Sequence, residues 1–397
     1  MLMGLIGRPN VGKSTFFKAA TLADVLIANY PFATIKPNHG MGFVKVDCID
    51  KEFNTQCMPR TGFCINHIRF VPVELMDVAG LVEGASKGKG LGNQFLDDLR
   101  QADAFIQIVD VSGETDAEGK QTKGYNPVND IKMLENEIDL WYLGILKKVW
   151  RTFARTIQLT KEKENFAIGV AKQFSGLKVS DNDVKEVILK LKYNTEKPND
   201  WTEEQLLAFA HELRVLTKPM IIAANKIDKE DAAENLKKLK NAHSDALIIP
   251  CAADSELALR EAGKAGLIEY VPGEKDFKIQ EGKITERQKQ ALQTIKTNVL
   301  DVYGSTGVQQ ILDTAVFKLL NHIAVFPAGA SKLADSKGNI LPDCFLVKQG
   351  TTALDFAFLL HTDLGKNFIR ATNAKTKQVI GKEYILKHRD GIEIITR

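Results

Sequence analysis

The sequence lacks the features that mark secreted, membrane-spanning or strongly charged proteins. Its 397 residues include only five cysteines, and an odd number argues against a disulfide framework. No run of about eighteen apolar residues occurs, so we expect no membrane span, and the N-terminus has no charged leader typical of a signal peptide. The formal net charge of +3 is too small to indicate nucleic-acid binding by itself. These absences predict a cytoplasmic protein.

The composition is that of a globular protein, with 44% hydrophobic residues and enough length for two or three domains. Cys57, Cys64 and His67 lie close together in CMPRTGFCINH. Their spacing fits no common zinc pattern, and no fourth ligand is evident. We therefore expect ordinary loop or core cysteines, with a metal site as the alternative.

The chain opens on a glycine-rich phosphate-binding motif. MLMGLIGRPNVGKSTF places an apolar run before the pattern G-x-x-x-x-G-K-[ST] and a helix-forming stretch after it, which disfavours a chance glycine turn. Backbone N–H groups of such a loop and the positive end of the following helix bind phosphate. We expect Lys13 to reach the β- and γ-phosphates and Ser14 to hold Mg²⁺. Predicted nucleotide contacts are Asn10, Val11, Gly12, Lys13, Ser14 and Thr15.

Two further segments are expected to face the γ-phosphate. Asp77 follows the strand-like run IRFVPVELM, where a carboxylate holds Mg²⁺, and Gly80 leaves its N–H free for the phosphate. Thr34 lies in the loop ANYPFATIKPNHG, where its hydroxyl could bind both Mg²⁺ and phosphate. A surface turn without function is the alternative for Thr34. The predicted metal ligands are thus Ser14, Thr34 and Asp77.

The segment KPMIIAANKID is expected to recognise the base. Asp228 would accept hydrogen bonds from guanine N1–H and the 2-amino group, and adenine would leave this carboxylate unpaired. Asn225 would tie the segment to the phosphate loop, and Lys226 would cover the ring with its aliphatic stem. A second strand, ALIIP, leads to Cys251, Ala252 and Ala253, where a backbone N–H could meet guanine O6. GTP and GDP are therefore the expected ligands.

The motifs together resemble one family of GTPases. GRPNVGKST, NYPFATIKPN and DVAGLVEGASKGKGLGNQFL are similar to the TRAFAC-class GTPases of the Obg group, most closely the YchF-like Obg proteins. The glycines after Gly80 (Gly84, Gly88, Gly90 and Gly92) are typical of that group. Many YchF proteins carry an altered base motif and prefer ATP. This sequence keeps Asp228, which is similar to the archaeal-type branch and implies guanine.

The catalytic group is not evident from the sequence. Leu81 occupies the position where Ras-like GTPases place a water-orienting glutamine, so we expect slow intrinsic hydrolysis. In related GTPases an asparagine at the position of Asn10 helps hold a potassium ion; ordinary turn chemistry is the alternative. The candidate catalytic residues are Lys13, Thr34, Gly80 and Asn10. Mg²⁺ is the expected cofactor, with K⁺ as a second candidate.

The predicted fold is α/β, a P-loop NTPase G domain with a mostly parallel sheet, formed by residues 1–126 and 215–318. Residues 113–126 are polar and glycine-bearing, and we predict a loop or boundary there. Residues 127–214 are predicted as a helical insertion, since apolar residues recur at helical spacing from Ile131 to Val149. Within it, Thr202 and Gln205 have the spacing of a capping box before LLAFAHEL. This stripe favours packing within the molecule over a partner groove.

Residues 319–397 are predicted to form a small β-grasp domain. LPDCFLVKQGTTALDFAFLLHTDLGKNFIRA resembles a TGS domain, which implies contact with RNA or the ribosome. We predict one helix in TTALDFAFLLHTDLG, capped by Thr351 or Thr352. The basic residues that could face phosphates are Lys348, Lys366, Arg370, Lys375 and Lys377. A solubilising surface is the alternative for these five.

The sequence favours a GTP-hydrolysing, Mg²⁺-dependent switch. By resemblance, the expected partner is the ribosome or RNA, contacted through the TGS domain and the helical insertion. An ATP-hydrolysing protein and an RNA- or ribosome-binding scaffold with a structural nucleotide stay open as alternatives. We expect no membrane partner. A monomer is the simplest expectation for the oligomeric state, which the sequence does not decide.

Overall fold

The structure is a computed structural model that describes residues 1–21, 38–78, 80, 83–84, 99–160, 163–329, 333–335 and 337–397. These residues form two compact units, each assembled from three separate segments. The first unit contains Met1–Ala19, Leu75–Leu257 and Gln290–Val308. The second contains Ala20–Glu74, Ala258–Lys289 and Gln309–Arg397. The domain boundaries expected from the sequence stay predictions.

The described residues form fourteen strands, numbered here along the chain. They are β1 (Leu2–Gly7), β2 (His39–Asp47), β3 (Phe63–Ile65), β4 (Ile68–Asp77), β5 (Ala104–Asp110), β6 (Met220–Asn225), β7 (Leu247–Pro250), β8 (Ile268–Tyr270), β9 (Phe277–Ile279), β10 (His322–Pro327), β11 (Phe345–Lys348), β12 (Phe368–Asn373), β13 (Val379–Ile380) and β14 (Asp390–Thr396).

Helices connect these strands. The α-helices are Lys13–Thr21, Val128–Thr160, Lys163–Gln173, Asp181–Leu191, Glu203–Thr217, Ala232–Ala242, Ala253–Lys264, Glu286–Ile295, Asp301–Tyr303, Val308–Thr314, Ala353–Leu360 and Thr362–Lys366. Single turns of 3₁₀ helix lie at Ile49–Phe53, Ser175–Leu177 and Pro198–Asp200, and π-helical turns lie at Lys296–Leu300 and Ala315–Leu319. None of these helices is long and apolar enough to cross a membrane.

The first unit is built on a parallel sheet. Its strands pair in the order β1, β5, β6, β7, and each of the three pairings is parallel. Every residue of β1 and of β5 is buried, as expected for parallel strands with both faces covered. Ligands bind in such sheets at the carboxyl ends of the strands. The α/β class and the mostly parallel sheet are thus confirmed.

The helical block between β5 and β6 shares a core with the sheet of this unit, since the same buried cluster contains Ile6 of β1 and Phe105 of β5. Leu134, Ile138 and Trp141, from the predicted stripe, lie in one buried cluster with Phe209 and Leu213. The predicted packing within the molecule is therefore confirmed. The helix Glu203–Thr217 begins with the predicted capping box. The Thr202 side chain accepts a hydrogen bond from the Gln205 backbone N–H, and the Gln205 side chain accepts one from the Thr202 backbone N–H.

The second unit contains a five-stranded sheet of the β-grasp kind. The strand order is β11, β10, β14, β12, β13, and the central pair β10–β14 is parallel while its neighbours are antiparallel. Phe356 of the helix Ala353–Leu360 lies in the apolar cluster of this sheet with Val325 and Ile392. The predicted β-grasp module is confirmed.

The single helix predicted in TTALDFAFLLHTDLG is wrong, because the helix breaks at His361. His361 has extended backbone (φ −164°, ψ 140°), and its Nδ1 accepts the Asp363 N–H at 3.1 Å, so it caps a second short helix. Of the two candidate caps for the first helix, Thr352 accepts the Asp355 N–H at 3.1 Å. Gly365 lies so close to Phe358 that a Cβ there would approach the ring to 2.3 Å.

Candidate nucleotide-binding site

The phosphate loop joins β1 directly to the helix Lys13–Thr21. Gly12 has φ +92°, and a Cβ on it would lie 2.3 Å from Nδ2 of Asn225. Only glycine satisfies both the left-handed backbone and this close approach. The carbonyl of Gly12 accepts the Phe16 N–H at 2.9 Å, which starts the helix, while Val11 is buried and Thr15 is partly buried in its first turn. The loop thus presents a helix N-terminus preceded by a fixed glycine, the arrangement that binds anions.

Lys13, Ser14 and Asp77 meet beside this helix end. The Ser14 hydroxyl donates to Oδ2 of Asp77 at 2.9 Å, and Nζ of Lys13 lies 3.2 Å from Oδ1. Oδ1 is buried yet accepts no hydrogen bond from the described residues. A hydroxyl and a carboxylate with a spare oxygen are hard ligands of the kind Mg²⁺ prefers. The donor set therefore fits Mg²⁺, which P-loop GTPase folds generally use.

Residues 113–126, predicted as a loop or boundary, form a loop that contacts the phosphate loop. Asn10, which has φ +63°, donates from Nδ2 to the carbonyl of Gly119 at 2.8 Å. A Cβ on Gly119 would lie 2.9 Å from Cβ of Pro9, and one on Gly80 would lie 3.0 Å from the Pro9 nitrogen. The loop 113–126 therefore forms one wall of the site, and Gly80 lies next to Pro9 of the phosphate loop.

A buried ion pair lies next to the same segment. Arg8 is 3.1 Å from Asp130, both side chains are about 5% exposed, and the guanidinium carbon is 5.1 Å from the centre of the Tyr125 ring. Burial raises the pKa of Asp130 to about 6, although Arg8 and Tyr125 act in the opposite direction. The pair links the phosphate loop to the start of the helix Val128–Thr160.

Asn225 connects the phosphate loop to the segments predicted to bind the base. Its Nδ2 donates to the Val11 carbonyl at 2.9 Å, and its Oδ1 accepts the Ala253 N–H at 3.1 Å. Asn225 is 3% exposed, so both groups of the amide are satisfied away from water. One side chain thus fixes three loops relative to one another.

Lys226 is held by an aspartate that the sequence analysis did not consider. Its Nζ lies 2.6 Å from Oδ2 of Asp110, and its backbone has φ +64°. Asp110 also accepts hydrogen bonds from the Ser112 N–H and hydroxyl and from the Thr115 hydroxyl. The charge of Lys226 is therefore directed toward β5, while its stem stays available to a ring.

Asp228, the predicted base reader, is exposed at the end of the motif. Its carboxylate lies 3.8 Å from Nζ of Lys229 and accepts no hydrogen bond from the part of the chain that the structure describes. Burial and the nearby Asp228 charge raise the pKa of Tyr303. Tyr303 packs on the apolar cluster that contains Ile227. An aromatic side chain therefore lies near the predicted base contact.

The three backbone N–H groups predicted near guanine O6 all have partners. Cys251 donates to Ala224, Ala252 donates to Thr306 at 2.9 Å, and Ala253 donates to Asn225. Gly307 packs so closely that a Cβ there would lie 2.0 Å from the Pro250 carbonyl oxygen. An O6 contact would therefore require Ala252 to exchange its bond to Thr306. Complete burial, with the charges of Glu256 and Asp228, raises the pKa of the Cys251 thiol well above its usual value.

Several predicted residues lie outside the described residues. These are Thr34, Leu81 and three of the family glycines, Gly88, Gly90 and Gly92. Conversely, sequence reasoning missed Asp110, Tyr303 and Thr306. Asp110 ends the apolar run AFIQIVD, and a carboxylate at the carboxyl end of a parallel strand was a usable signal. Tyr303 and Thr306 had no usable signal in the sequence, because only the fold brings them to the site.

Three family descriptions match successive parts of the chain. Residues 2–137 match the family described as 50S ribosome-binding GTPase. Residues 223–329 match the Obg-like GTPase YGR210-like, G4 motif-containing domain. Residues 332–396 match the TGS domain. The first two contain the phosphate and base motifs described above.

Relatives match the whole chain. An uncharacterised GTP-binding protein of Methanocaldococcus jannaschii is 49% identical over 100% of this chain and 99% of its own. A protein of Bacillus subtilis named ribosome-binding ATPase YchF is 28% identical over 98% of this chain and 97% of its own. The crystal structure of a GTP-binding protein from Pyrococcus horikoshii is similar with a TM-score of 0.80 and 41% identity, covering 100% of both chains. The chain therefore belongs to the Obg-like, YchF-like group of P-loop GTPases, with a C-terminal TGS domain.

Proposed function

We propose that this protein binds GTP and hydrolyses it to GDP and phosphate, as a Mg²⁺-dependent switch that acts at the ribosome. The observation that carries the guanine assignment is the exposed Asp228 carboxylate in the loop that follows β6, which is available to two donors on one ring edge. Guanine presents N1–H and a 2-amino group there, and adenine does not. A site built to accept these hydrogen bonds discriminates strongly against a base that lacks them.

The phosphate end of the site supports hydrolysis. Lys13 lies beside the helix N-terminus, where its charge would stabilise the negative charge that develops on the β- and γ-phosphates. Ser14 and Asp77 would hold Mg²⁺, which supplies further charge stabilisation when bound. The Gly80 N–H, next to Pro9, would donate to the γ-phosphate.

Slow intrinsic turnover is part of the proposal, because Leu81 cannot orient a water molecule. Asn10 is our candidate for a potassium ligand. Its Nδ2 is engaged by the Gly119 carbonyl, which leaves the amide oxygen as the atom that would bind the ion. A potassium ion there would supply positive charge to the transition state, as an arginine finger does.

The proposal that the protein acts at the ribosome rests on the name of a relative and on the basic residues of the TGS domain. The Bacillus subtilis relative is named ribosome-binding, and a TGS domain occupies residues 332–396. Lys348, Lys366 and Arg370 are exposed there. Lys375 lies 3.4 Å from Glu52, and Lys377 lies over the Phe53 ring. The first three are therefore the better candidates for phosphate contacts.

The first experiment is a competition assay. A fluorescent guanine nucleotide is displaced with GTP, GDP or ATP in potassium and Mg²⁺, using the wild type and Asp228→Ala. We expect displacement by GTP and GDP only, and loss of this preference in the variant. Equal competition by ATP in the wild type would overturn the guanine assignment.

One observation favours ATP hydrolysis as the second candidate. The N–H groups of residues 251–253 all have partners, so the described site offers guanine O6 no free donor. The same titration decides between the two nucleotides. Ribosome-stimulated turnover then separates a switch from a scaffold, since a protein that uses nucleotide only for stability would bind ribosomes without stimulation.

A further inference from the structure

Four potential metal ligands converge in the second unit, and none of them is assigned to the nucleotide. They are Cys48 after β2, Asp50 in the following 3₁₀ turn, Cys57 in the next loop and Cys64 in β3. One ligand atom from each lies within 4.8 Å of every other. The spacing of Cys57 and Cys64 in the sequence shows no fourth ligand, because Cys48 and Asp50 reach the cluster only through the fold.

We propose that Cys48, Asp50, Cys57 and Cys64 bind one structural Zn²⁺ ion. Sulfur atoms around a tetrahedral zinc at about 2.3 Å lie about 3.8 Å apart. The Sγ atoms of Cys48 and Cys57 are 3.6 Å apart, and Sγ of Cys64 is 3.9 Å from Oδ2 of Asp50. Three sulfurs and one oxygen in this compact arrangement leave space for a single ion and select a thiophilic one over Mg²⁺ or Ca²⁺.

The ligand set is closed, which is typical of structural rather than catalytic zinc. Cys48, Asp50 and Cys57 are at most 4% exposed, and only Cys64 is partly accessible. Two neighbouring groups fix the orientation of the Asp50 carboxylate. Its Oδ2 accepts the Cys57 N–H at 2.9 Å, and its Oδ1 lies 3.0 Å from Nδ1 of His67. Such supporting hydrogen bonds are what fix a metal ligand in place.

Arg69 provides an independent reason to expect an anionic centre here. It is 1% exposed, and its Nε and Nη1 have no hydrogen-bond partner among the described residues. Arg69 is directly opposite Cys64 in the β3–β4 ladder, so the two side chains leave the hairpin on the same face. Three thiolates, one carboxylate and one divalent ion carry a net charge of minus two. Without an ion, the Asp50 carboxylate is the one negative charge among these four ligands; with the ion and three thiolates the cluster becomes more negative, which compensates the buried guanidinium more fully.

The local backbone explains how these segments come together. Asn66 and His67 form the two-residue turn between β3 and β4, and both have positive φ (+50° and +63°), as a tight hairpin turn requires. The His67 carbonyl accepts the Cys48 N–H at 2.8 Å. An ion at the cluster would cross-link β2, the loop through Cys57 and this hairpin, where residues 54–62 form no helix or strand of their own.

The test uses the purified full chain without nucleotide. After removal of bound metal under reducing conditions, Co²⁺ is titrated and the thiolate-to-cobalt charge-transfer band is recorded; Zn²⁺ is then added. We expect about one Co²⁺ per chain, displaced by Zn²⁺, and loss of the band in Cys57→Ser and Cys64→Ser. Cys344→Ser is the matched control, because Cys344 lies in the same unit but outside the ligand set, and it should bind as the wild type does.

His67→Asn tests the positioning role, since asparagine tolerates the left-handed backbone. We expect it to bind Co²⁺ with the same spectrum and roughly 10–100-fold lower affinity. Thiols are also counted in the unfolded, non-reduced, chelator-treated wild type. Five thiols support the proposal; three would indicate one disulfide, and a peptide map that places it within the ligand set would overturn it. Absence of the cobalt band in a folded wild type, or loss of the band in Cys344→Ser, would also overturn it.

Discussion

The ammonium of Lys226 lies 2.6 Å from the carboxylate of Asp110, so the base-binding motif is anchored to the strand β5. Asp110 is 2% exposed and would be left with a buried charge if Lys226 were removed. Asp110 therefore positions the motif through the ammonium of Lys226, while the stem of Lys226 stays available to the base.

The first prediction concerns this pair. Asp110→Asn should lower the free energy of unfolding by about 2–4 kcal/mol and weaken guanine-nucleotide binding, because Lys226 loses its buried partner. Chemical denaturation and nucleotide titration measure the two effects. Lys185→Met, which breaks the exposed pair with Asp181, is the control and should change stability by less than about 1 kcal/mol. Equal effects of the two substitutions would contradict the anchoring role.

The second prediction concerns Gly12. Gly12→Ala places a Cβ at 2.3 Å from Asn225 and strains a residue with φ +92°, so nucleotide affinity should fall by at least about 100-fold, which corresponds to about 2.7 kcal/mol. Gly124→Ala is a control for backbone strain without a steric clash, since Gly124 has φ +72° but an added Cβ would have no atom within 4 Å. That variant should lose about 1–2 kcal/mol of stability and keep its nucleotide affinity. Retained affinity in Gly12→Ala would show that the loop rearranges.

The third prediction is a pH dependence in the helical block. The hydrogen bond to Asp139 at 2.8 Å raises the pKa of His211. Burial opposes ionisation of Asp139, but hydrogen bonds from His211 and Arg214 bring its pKa below the usual value. The contribution of His211 to the free energy of unfolding is complete below its pKa in the unfolded chain, about 6.5. That contribution is lost as the pH rises through the raised pKa of the folded protein. Stability should therefore fall over this range.

His211→Gln isolates that contribution. The difference in unfolding free energy between wild type and variant should shrink as the pH rises from about 6 to 8. Because His211 is 45% exposed, the difference should stay below about 1 kcal/mol. The contribution of Asp139 has the opposite sign and is lost only in acid, as the pH falls through its lowered pKa. A difference that grows toward pH 8 would contradict the assignment.

The fourth prediction concerns the helix Ala353–Leu360. Thr352→Ala should destabilise it by about 1 kcal/mol, since the Asp355 N–H loses its acceptor. Thr351→Ala should have a smaller effect, because its hydroxyl donates to the Lys348 carbonyl outside the helix. Hydrogen exchange of the first-turn amides measures both. If both variants lost the same protection from hydrogen exchange, the result would contradict the assignment of Thr352 as the helix cap.

The fifth prediction tests potassium. If Asn10 holds the ion, GTP turnover should be at least about tenfold faster in K⁺ than in Na⁺, a small part of the ~10³–10⁵-fold that an arginine finger supplies. Asn10→Gly tolerates the φ of +63° and should remove the difference between the two salts. Equal turnover of the wild type in both salts would leave Asn10 as a turn residue that binds Gly119.

The sequence was sufficient to predict the features that depend on residues close to one another along the chain. The glycine-rich loop, the strands that precede Asp77 and Asn225, and the capping box at Thr202 depend on neighbouring residues, and local chemistry was enough to find them. Contacts between distant segments were not predictable in this way. Gly119 beside Pro9, Thr306 beside Ala252 and Cys48 beside Cys57 or Cys64 follow from topology alone. The helix break at His361 was missed because a histidine that caps is indistinguishable by periodicity from one that continues a helix.

The long sequence separations in the parallel sheet have a consequence for synthesis of the chain. Met3 pairs with Ala104, Ile106 pairs with Ile221, and Ile221 pairs in turn with Leu247. Such non-local pairings are slow to form, whereas helices that contact their sequence neighbours form early. A nascent chain that has emerged only through the helix Glu203–Thr217 would have its phosphate loop but neither β6 nor Asn225. We therefore expect the emerging protein to stay nucleotide-free, and its apolar strand β1 to need protection from aggregation, until the residues of β7 leave the exit tunnel.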